Sequence, residues 1–384
     1  MNAINFDRLG DTLNAITAAF ESSAAAHDRD GSFPFENFDL LHRHGLLALT
    51  VPAEHGGGGA NLATASRVVR AVARGEASTA LVLVMQYLAH RSVVSAWPAE
   101  IRDVLAEDAV RSGALINALR VEPELGTPAR GGLPATLARR VPGGWRISGT
   151  KIYSTGIPIL RWLNVWARTD EDEPRVGFFV VPREAAGITV HETWNHMGMR
   201  ASGSHDVVLS DVFVPASHAP DLRPEAGWAV RGADELSWMI VLQSVIYDAV
   251  AEAARDWLVR YLQERTPSNL GAPLASLPRF QEAVGDIQAR LLTNRTLLDA
   301  VTEAADRGAY WAAERVLLVK HTVTSNVIAV TSRALDITGN PGLSRNNPLE
   351  RHHRNALCSR IHTPQDDTIL AAAGRAAFDS VFAS

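Results

Sequence analysis

A single cysteine, Cys358, stands in a chain of 384 residues, so no disulfide can close within it and no thiolate cluster is available for zinc or iron–sulfur ligation. Excess charge of either sign is also missing. The formal charge is −5, with 37 basic and 42 acidic residues interspersed, and the basic stripe that grips nucleic acid is absent. Apolar runs such as WMIVL fall far short of the ~18 residues of a transmembrane helix, so no membrane partner is expected. There is no G-x-S-x-G elbow, which disfavours Ser/His/Asp hydrolysis. Gly56, Gly57, Gly58 and Gly59 follow no strand and end in no GK[ST], so HGGGGA reads as a flexible interhelical turn rather than a phosphate cradle. His352, His353 and His362 lack the i,i+4 pairing of a helical metal site, and no metal is expected. Asp7 and Asp11 occupy the place of a secretory signal's cationic flank, which points to a cytoplasmic protein with Cys358 as core filler.

What the chain does contain is 46% hydrophobic residues and two distinct periodicities. Residues 1–115 carry apolar side chains at helical spacing, as in LATASRVVRAVARGEASTALVLVMQYLAH. Across 116–225 the runs shorten and become β-prone: RVPGGWRISGTKIYSTG places a Pro-Gly-Gly turn between two strands, and VGFFVVP and HDVVLSDVFVP end at proline. Helical spacing returns over 226–384 in three long stretches, the pattern of a bundle. The order predicts an α+β, mostly α, protein: an N-terminal helical domain, a central antiparallel β domain and a C-terminal helical bundle. Rossmann and TIM architectures alternate strand and helix throughout and do not fit.

Several segments could carry chemistry. ALRVEPELGTP sets Glu122, Glu124 and Thr127 beside a turn, as a ligand-touching loop would. SGTKIYSTG presents Tyr153 beside the hydroxyls of Ser154 and Thr155, a combination suited to a planar heteroaromatic group that stacks on one face and is hydrogen-bonded at its edge. GMRASGSHDVV offers Arg200, Ser202, Ser204 and His205 as an anion-binding turn, or as a surface turn with Arg200 paired to a carboxylate.

Taken in register, GLLALTVPAEHGGGGANL, ALRVEPELGTP, SGTKIYSTG, GMRASGSHDVVLSDVFVP and ALDITGNPGLSRNNPLERHHRNA resemble the acyl-CoA dehydrogenase superfamily over nearly the whole chain. The resemblance implies that family's fold, with a four-helix carboxyl-terminal bundle, and a flavin cofactor, FAD or FMN. It places the flavin ring against Tyr153, Ser154 and Thr155 with Thr127 near its reactive edge. Gly339 and Gly342 fall in the loop that meets the adenosine half across a subunit interface, which implies a homotetramer built as a dimer of dimers.

Departures from the family pattern bear on the reaction. α,β-Dehydrogenation needs a carboxylate to take the α proton. At the two positions where the family carries it, this chain has Thr363, within IHTPQ, and Met239. The resemblance is then nearest to the flavin-dependent monooxygenase branch, which includes dibenzothiophene monooxygenase. It implies a two-component enzyme in which reduced flavin, as FMN supplied by a partner reductase in one form, reacts with oxygen to a flavin hydroperoxide and oxygenates a small organic substrate. By that likeness His362 and Ser154 are catalytic, hydrogen-bonding the peroxide, with His362 exchanging protons near neutral pH. Gln86, His90 and Met239 would line the substrate pocket. The alternatives are an acyl-CoA dehydrogenase with a displaced base, for which Asp366, Asp367 or Glu235 are the candidates, and a non-catalytic flavin- or acyl-thioester-binding homologue.

Overall fold

The computed structural model describes residues 4–93, 96–127, 131–228 and 232–382. Five helices open the chain: α1 (Leu9–Asp30), α2 (Phe35–Arg43), α3 (Leu62–Gly75), α4 (Ala77–Leu88) and α5 (Ala99–Ser112). Helix α3 starts where Asn61 Oδ1 accepts from Thr64 N at 3.0 Å, and its buried stripe of Leu62, Ala65, Val68, Val69 and Val72 follows the helical period. One residue separates it from α4, whose first turn is capped by the carboxylate of buried Glu76 on Ser78 N and Thr79 N. Gly57 and Gly58 are not a flexible turn. A Cβ on either would lie 2.3 Å from Val51 O or 2.6 Å from Leu49 O, so these glycines permit close backbone packing.

Strands follow: β1 (Leu115–Leu119), β2 (Leu137–Val141), β3 (Gly144–Ser154), β4 (Leu160–Thr169), β5 (Arg175–Pro182), β6 (Ile188–His191), β7 (His205–Pro215) and β8 (Asp221–Pro224). Pro142 and Gly143, the latter at φ 82°, make the turn between β2 and β3, with Pro and Gly at the positions a type II turn favours. The sheet runs β6-β7-β3-β2-β4-β5-β8, with β1 beside β4. It is mixed rather than wholly antiparallel, because β1 pairs with β4 in parallel and β2 touches β4 in parallel at two residues. The β2–β3 hairpin lies within the long connection that a parallel β1/β4 pair requires.

The last segment holds α6 (Ala233–Glu264), α7 (Pro278–Asp306), α8 (Ala313–Thr338), α9 (Asn340–Leu343), α10 (Leu349–Leu357) and α11 (Asp366–Phe382). Three helices are long; the fourth side of the bundle is filled by the shorter α10 and α11. Helix α6 is apolar nearly all round and reaches the length and mean hydropathy of a membrane span. Its apolar window is 89% buried among its neighbours, the position of a central core helix. Leu13 and Phe20 of α1, Trp145 and Val207 of the sheet, and Ile246 and Val327 of the bundle belong to one continuous core.

Candidate active site

Tyr153, next to last in β3, takes a left-handed conformation, φ 57°, uncommon for an aromatic residue. Its ring is 51% exposed and lies edge-on to Trp194 and His196, centroids 6.3 and 5.7 Å away, while those two rings stack at 3.7 Å. Ser154 is buried and its Oγ has no hydrogen-bond partner. Thr155 Oγ1 lies 3.0 Å from Ser204 Oγ, which lies 2.8 Å from Ser202 Oγ; the carbonyl of Thr155 accepts from Asn117 Nδ2 at 2.9 Å. An exposed aromatic platform beside an orphaned buried hydroxyl fits a flavin ring bound at the end of β3.

This strand end meets both helical segments. Gly156 N donates to Ser202 O, and a Cβ on Gly156 would lie 2.8 Å from Val82 of α4. The loop after Trp194 and His196 is bolted to α10, with Met199 N donating to Asn355 Oδ1 and Arg354 Nη1 to Met197 O. Arg354 also holds Asp28 of α1 and Glu350, and those carboxylates raise its pKa. Arg200 forms no anion-binding turn: its guanidinium donates to the carbonyls of Asp28 and Arg29 at the end of α1.

His362 follows α10 at half-buried depth. Its Nε2 is hydrogen-bonded to the hydroxyl of Tyr247, a fully packed residue of α6. Burial, aided by the ammonium of Lys320, lowers the His362 pKa to about 4; burial raises that of Tyr247 above the ordinary phenol range. Burial and the nearby ammonium therefore favour the neutral imidazole, against the expectation that His362 exchanges protons near neutral pH. Lys320 Nζ donates to Pro364 O at 2.8 Å, and burial lowers its own pKa.

Other anticipated residues have different surroundings. His90 lies on a π-helical turn, Ala89–Val93, that continues α4. Both its ring nitrogens are buried without partners, and burial lowers its pKa to about 4. Such turns occur frequently at functional sites. Gln86, expected in the pocket, instead ties backbone together: Nε2 donates to Ala114 O at 3.1 Å and Leu47 O at 3.4 Å, and Oε1 accepts from Ile116 N at 2.9 Å. Met239 is buried on α6, two helical turns before Tyr247; between them Gln243 Oε1 is buried without a partner.

Glu122 is not a loop residue reaching for a ligand. Its buried carboxylate accepts from Lys151 Nζ at 2.6 Å, from Thr136 N and Oγ1, and from Ala135 N. Lys151, fully buried on β3, also donates to Trp166 O; burial lowers its pKa to about 8 against the opposing pull of Glu122. Glu124 is exposed and Thr127 half-buried. Gly339 adopts φ 63°, ψ −140° at the end of α8, and a Cβ there meets nothing within 4 Å. At Gly342 a Cβ would lie 2.1 Å from Thr338 Oγ1, so that glycine serves packing within its own chain. Thr363 is half-buried, and Asp366, at the start of α11, lies 3.1 Å from His321 Nδ1. Cys358 is raised to about 11 by burial, so its thiol stays protonated.

Comparison with known proteins agrees with this arrangement from end to end. The acyl-CoA dehydrogenase N-terminal, middle and C-terminal domain models match residues 11–98, 120–212 and 227–376. The chain belongs to the acyl-CoA dehydrogenase superfamily. Members of this superfamily are flavin-dependent oxidoreductases. The chain is 33% identical over 377 residues to YdbM of Bacillus subtilis, provisionally named an acyl-CoA dehydrogenase, with 96% of each chain covered. It is 28% identical to KijD3, solved in complex with FMN and a dTDP-linked amino keto sugar; 97% of this chain and 92% of that one superpose with a TM-score of 0.81. FMN-bound TdsC from Paenibacillus sp. A11-2 superposes with a TM-score of 0.86 over 95% of each chain, at 21% identity, a likeness of fold. Another TdsC structure identifies that protein as a dibenzothiophene monooxygenase.

Proposed function

We propose that this superfamily member is a two-component, reduced-flavin-dependent monooxygenase acting on a small organic substrate. The observation that carries the reading is the pairing at the carboxyl-terminal loop: beside Thr363, which stands where many relatives have their proton-abstracting carboxylate, the chain sets His362 against Tyr247. Met239 stands at the other base position, and neither methionine nor threonine can take the α proton of an acyl thioester.

Bound reduced flavin, FMN or FAD delivered by a separate reductase, supplies the electrons that activate molecular oxygen. The residues of this chain supply position, proton inventory and exclusion of water. Tyr153 and its aromatic neighbours give one face for the ring, and Ser154 Oγ and Thr155 give hydrogen bonds at its edge. His362, neutral at working pH, gives a hydrogen-bond donor rather than a cationic acid. His90, also neutral and unpartnered, gives a second polar group in an apolar wall, with Met239 and Gln243 on the opposing helix lining the substrate side. The FMN complex of KijD3 supports the choice of a flavin cofactor.

Acyl-CoA dehydrogenation is the second reading, favoured by the name and 33% identity of YdbM. It would need Asp366, Asp367 or Glu235 to act as base. The two are separated by coupled turnover. With a flavin reductase and NADH, His362→Ala should keep its flavin affinity, lose substrate oxygenation by ~10²-fold and release hydrogen peroxide instead. Full retention of oxygenation, or acyl-CoA-dependent flavin reduction abolished by Asp366→Asn or Asp367→Asn, contradicts the proposal.

A further inference from the structure

His362 has two ring nitrogens, and the structure distinguishes them. Nε2 meets the hydroxyl of Tyr247; among the described residues Nδ1 has no hydrogen-bond partner. Tyr247 lies in the middle of α6, 3% exposed, and among the described residues its hydroxyl has no other partner. A phenol can donate or accept, and so can each nitrogen of a neutral imidazole. If Nε2 carried the proton and donated to the phenol oxygen, the phenol hydrogen would be left in a buried site with no acceptor, and Nδ1 would be a bare lone pair. If Nδ1 carries the proton, the phenol donates to the Nε2 lone pair and the buried phenol hydrogen is used, while Nδ1–H, on a half-buried ring, is left open to a ligand or water.

Resting on the oxygenase reading for its purpose but not for its evidence, we infer that Tyr247 is a positioning residue: it donates to Nε2 and holds His362 as the Nδ1–H tautomer, so that the site presents Nδ1–H as a fixed donor to an acceptor atom on its ligand. The other neighbours are consistent with a ring kept neutral. Lys320 on α8 carries a positive charge that opposes a second proton, while Asp366 at the head of α11 lies against His321 rather than His362. The side-chain thiol of Cys358, on the turn after α10, stays protonated. The preferred class of ligand atom is therefore an electron-rich hydrogen-bond acceptor, and a purely cationic or donor-only ligand group is disfavoured at this point.

The test reads the ring directly. Flavin-free protein labelled with 15N-histidine is examined by magic-angle-spinning NMR at neutral pH, with the His362 signals assigned by their loss in His362→Ala among the 13 histidines. The expected spectrum has a protonated Nδ1 and an unprotonated, hydrogen-bonded Nε2. Tyr247→Phe, which removes only the hydroxyl, should shift the Nε2 signal and let both tautomers populate. Incorporating 3-fluorotyrosine into the otherwise unaltered chain strengthens the donor and should move the same signal the opposite way. A protonated Nε2 in the unsubstituted protein, or an Nε2 signal indifferent to both changes, overturns the inference. Neither readout needs flavin, oxygen or substrate, so this failure is distinct from failure of the oxygenase reading, which shows only in product formation.

Discussion

Removing Glu122 should damage the protein more than removing its partner Lys151, although the same ion pair is lost in each case. Glu122→Ala strands a fully buried ammonium with Trp166 O as its one remaining acceptor and leaves Ala135 N, Thr136 N and Thr136 Oγ1 without theirs. Breaking a buried pair by deleting one member costs about 3–5 kcal/mol, and orphaned buried donors add about 1 kcal/mol each. Lys151→Met also breaks the pair, but it fills similar volume and leaves the Glu122 carboxylate with those three donors, so its cost stays near the lower end of that range, about 3 kcal/mol. The difference should depend on pH. Burial already depresses the Lys151 pKa to about 8, and without Glu122 it falls further, so the unfolded chain binds the extra proton and stability rises with pH. The gap between Glu122→Ala and the unsubstituted protein should narrow between about pH 6 and about pH 8. Urea titrations across that range give the two energies, and flavin binding by the same proteins reports whether Tyr153 and Ser154, close behind Lys151 on β3, have moved. Equal costs for the two substitutions, or a gap that widens with pH, would contradict this expectation.

Three further outcomes are expected. The buried imidazole of His90, with its pKa lowered from 6.5 to about 4, contributes stability that is full above the unfolded value and lost as pH falls toward the folded one. At about 1.4 kcal/mol per unit the loss approaches 3 kcal/mol, so His90→Gln should flatten the fall in melting temperature between about pH 6.5 and pH 4; an unchanged slope contradicts it. Gly339→Ala places a Cβ in open space but forces a left-handed, glycine-favouring backbone, at a cost of about 1–3 kcal/mol. Loss of flavin beyond what that destabilisation explains would tie this loop to the cofactor, as a homotetramer sharing its sites requires. Light scattering at a monomer mass would argue against that assembly.

The helical segments were legible because their apolar residues repeat at helical spacing, and the Pro142-Gly143 turn because those residues preset its backbone angles. The parallel pairing of β1 was not, since period-2 burial looks the same in either strand direction. Glu122 looks free in a short motif until the backbone groups it satisfies, 13 and 14 positions away, are known; Gln86, placed in the pocket by family likeness alone, likewise serves backbone 28 to 39 positions away. Tyr247 was missed because a tyrosine inside an apolar helix reads as core. Its hydroxyl partner lies 115 residues on, and only the fold brings Tyr247 to His362.

On the proposed function, this superfamily member activates oxygen and does not dehydrogenate acyl thioesters. The most direct measurement is stopped-flow absorbance: the flavin-loaded protein is reduced without oxygen and then mixed with oxygenated buffer, with a parallel sample offered acyl-CoA thioesters under nitrogen. A transient spectrum distinct from both oxidised and reduced flavin is expected after oxygen is admitted, with no bleaching by thioesters. Bleaching of the oxidised flavin by a thioester under nitrogen, with simple monotonic reoxidation in oxygen, would contradict it.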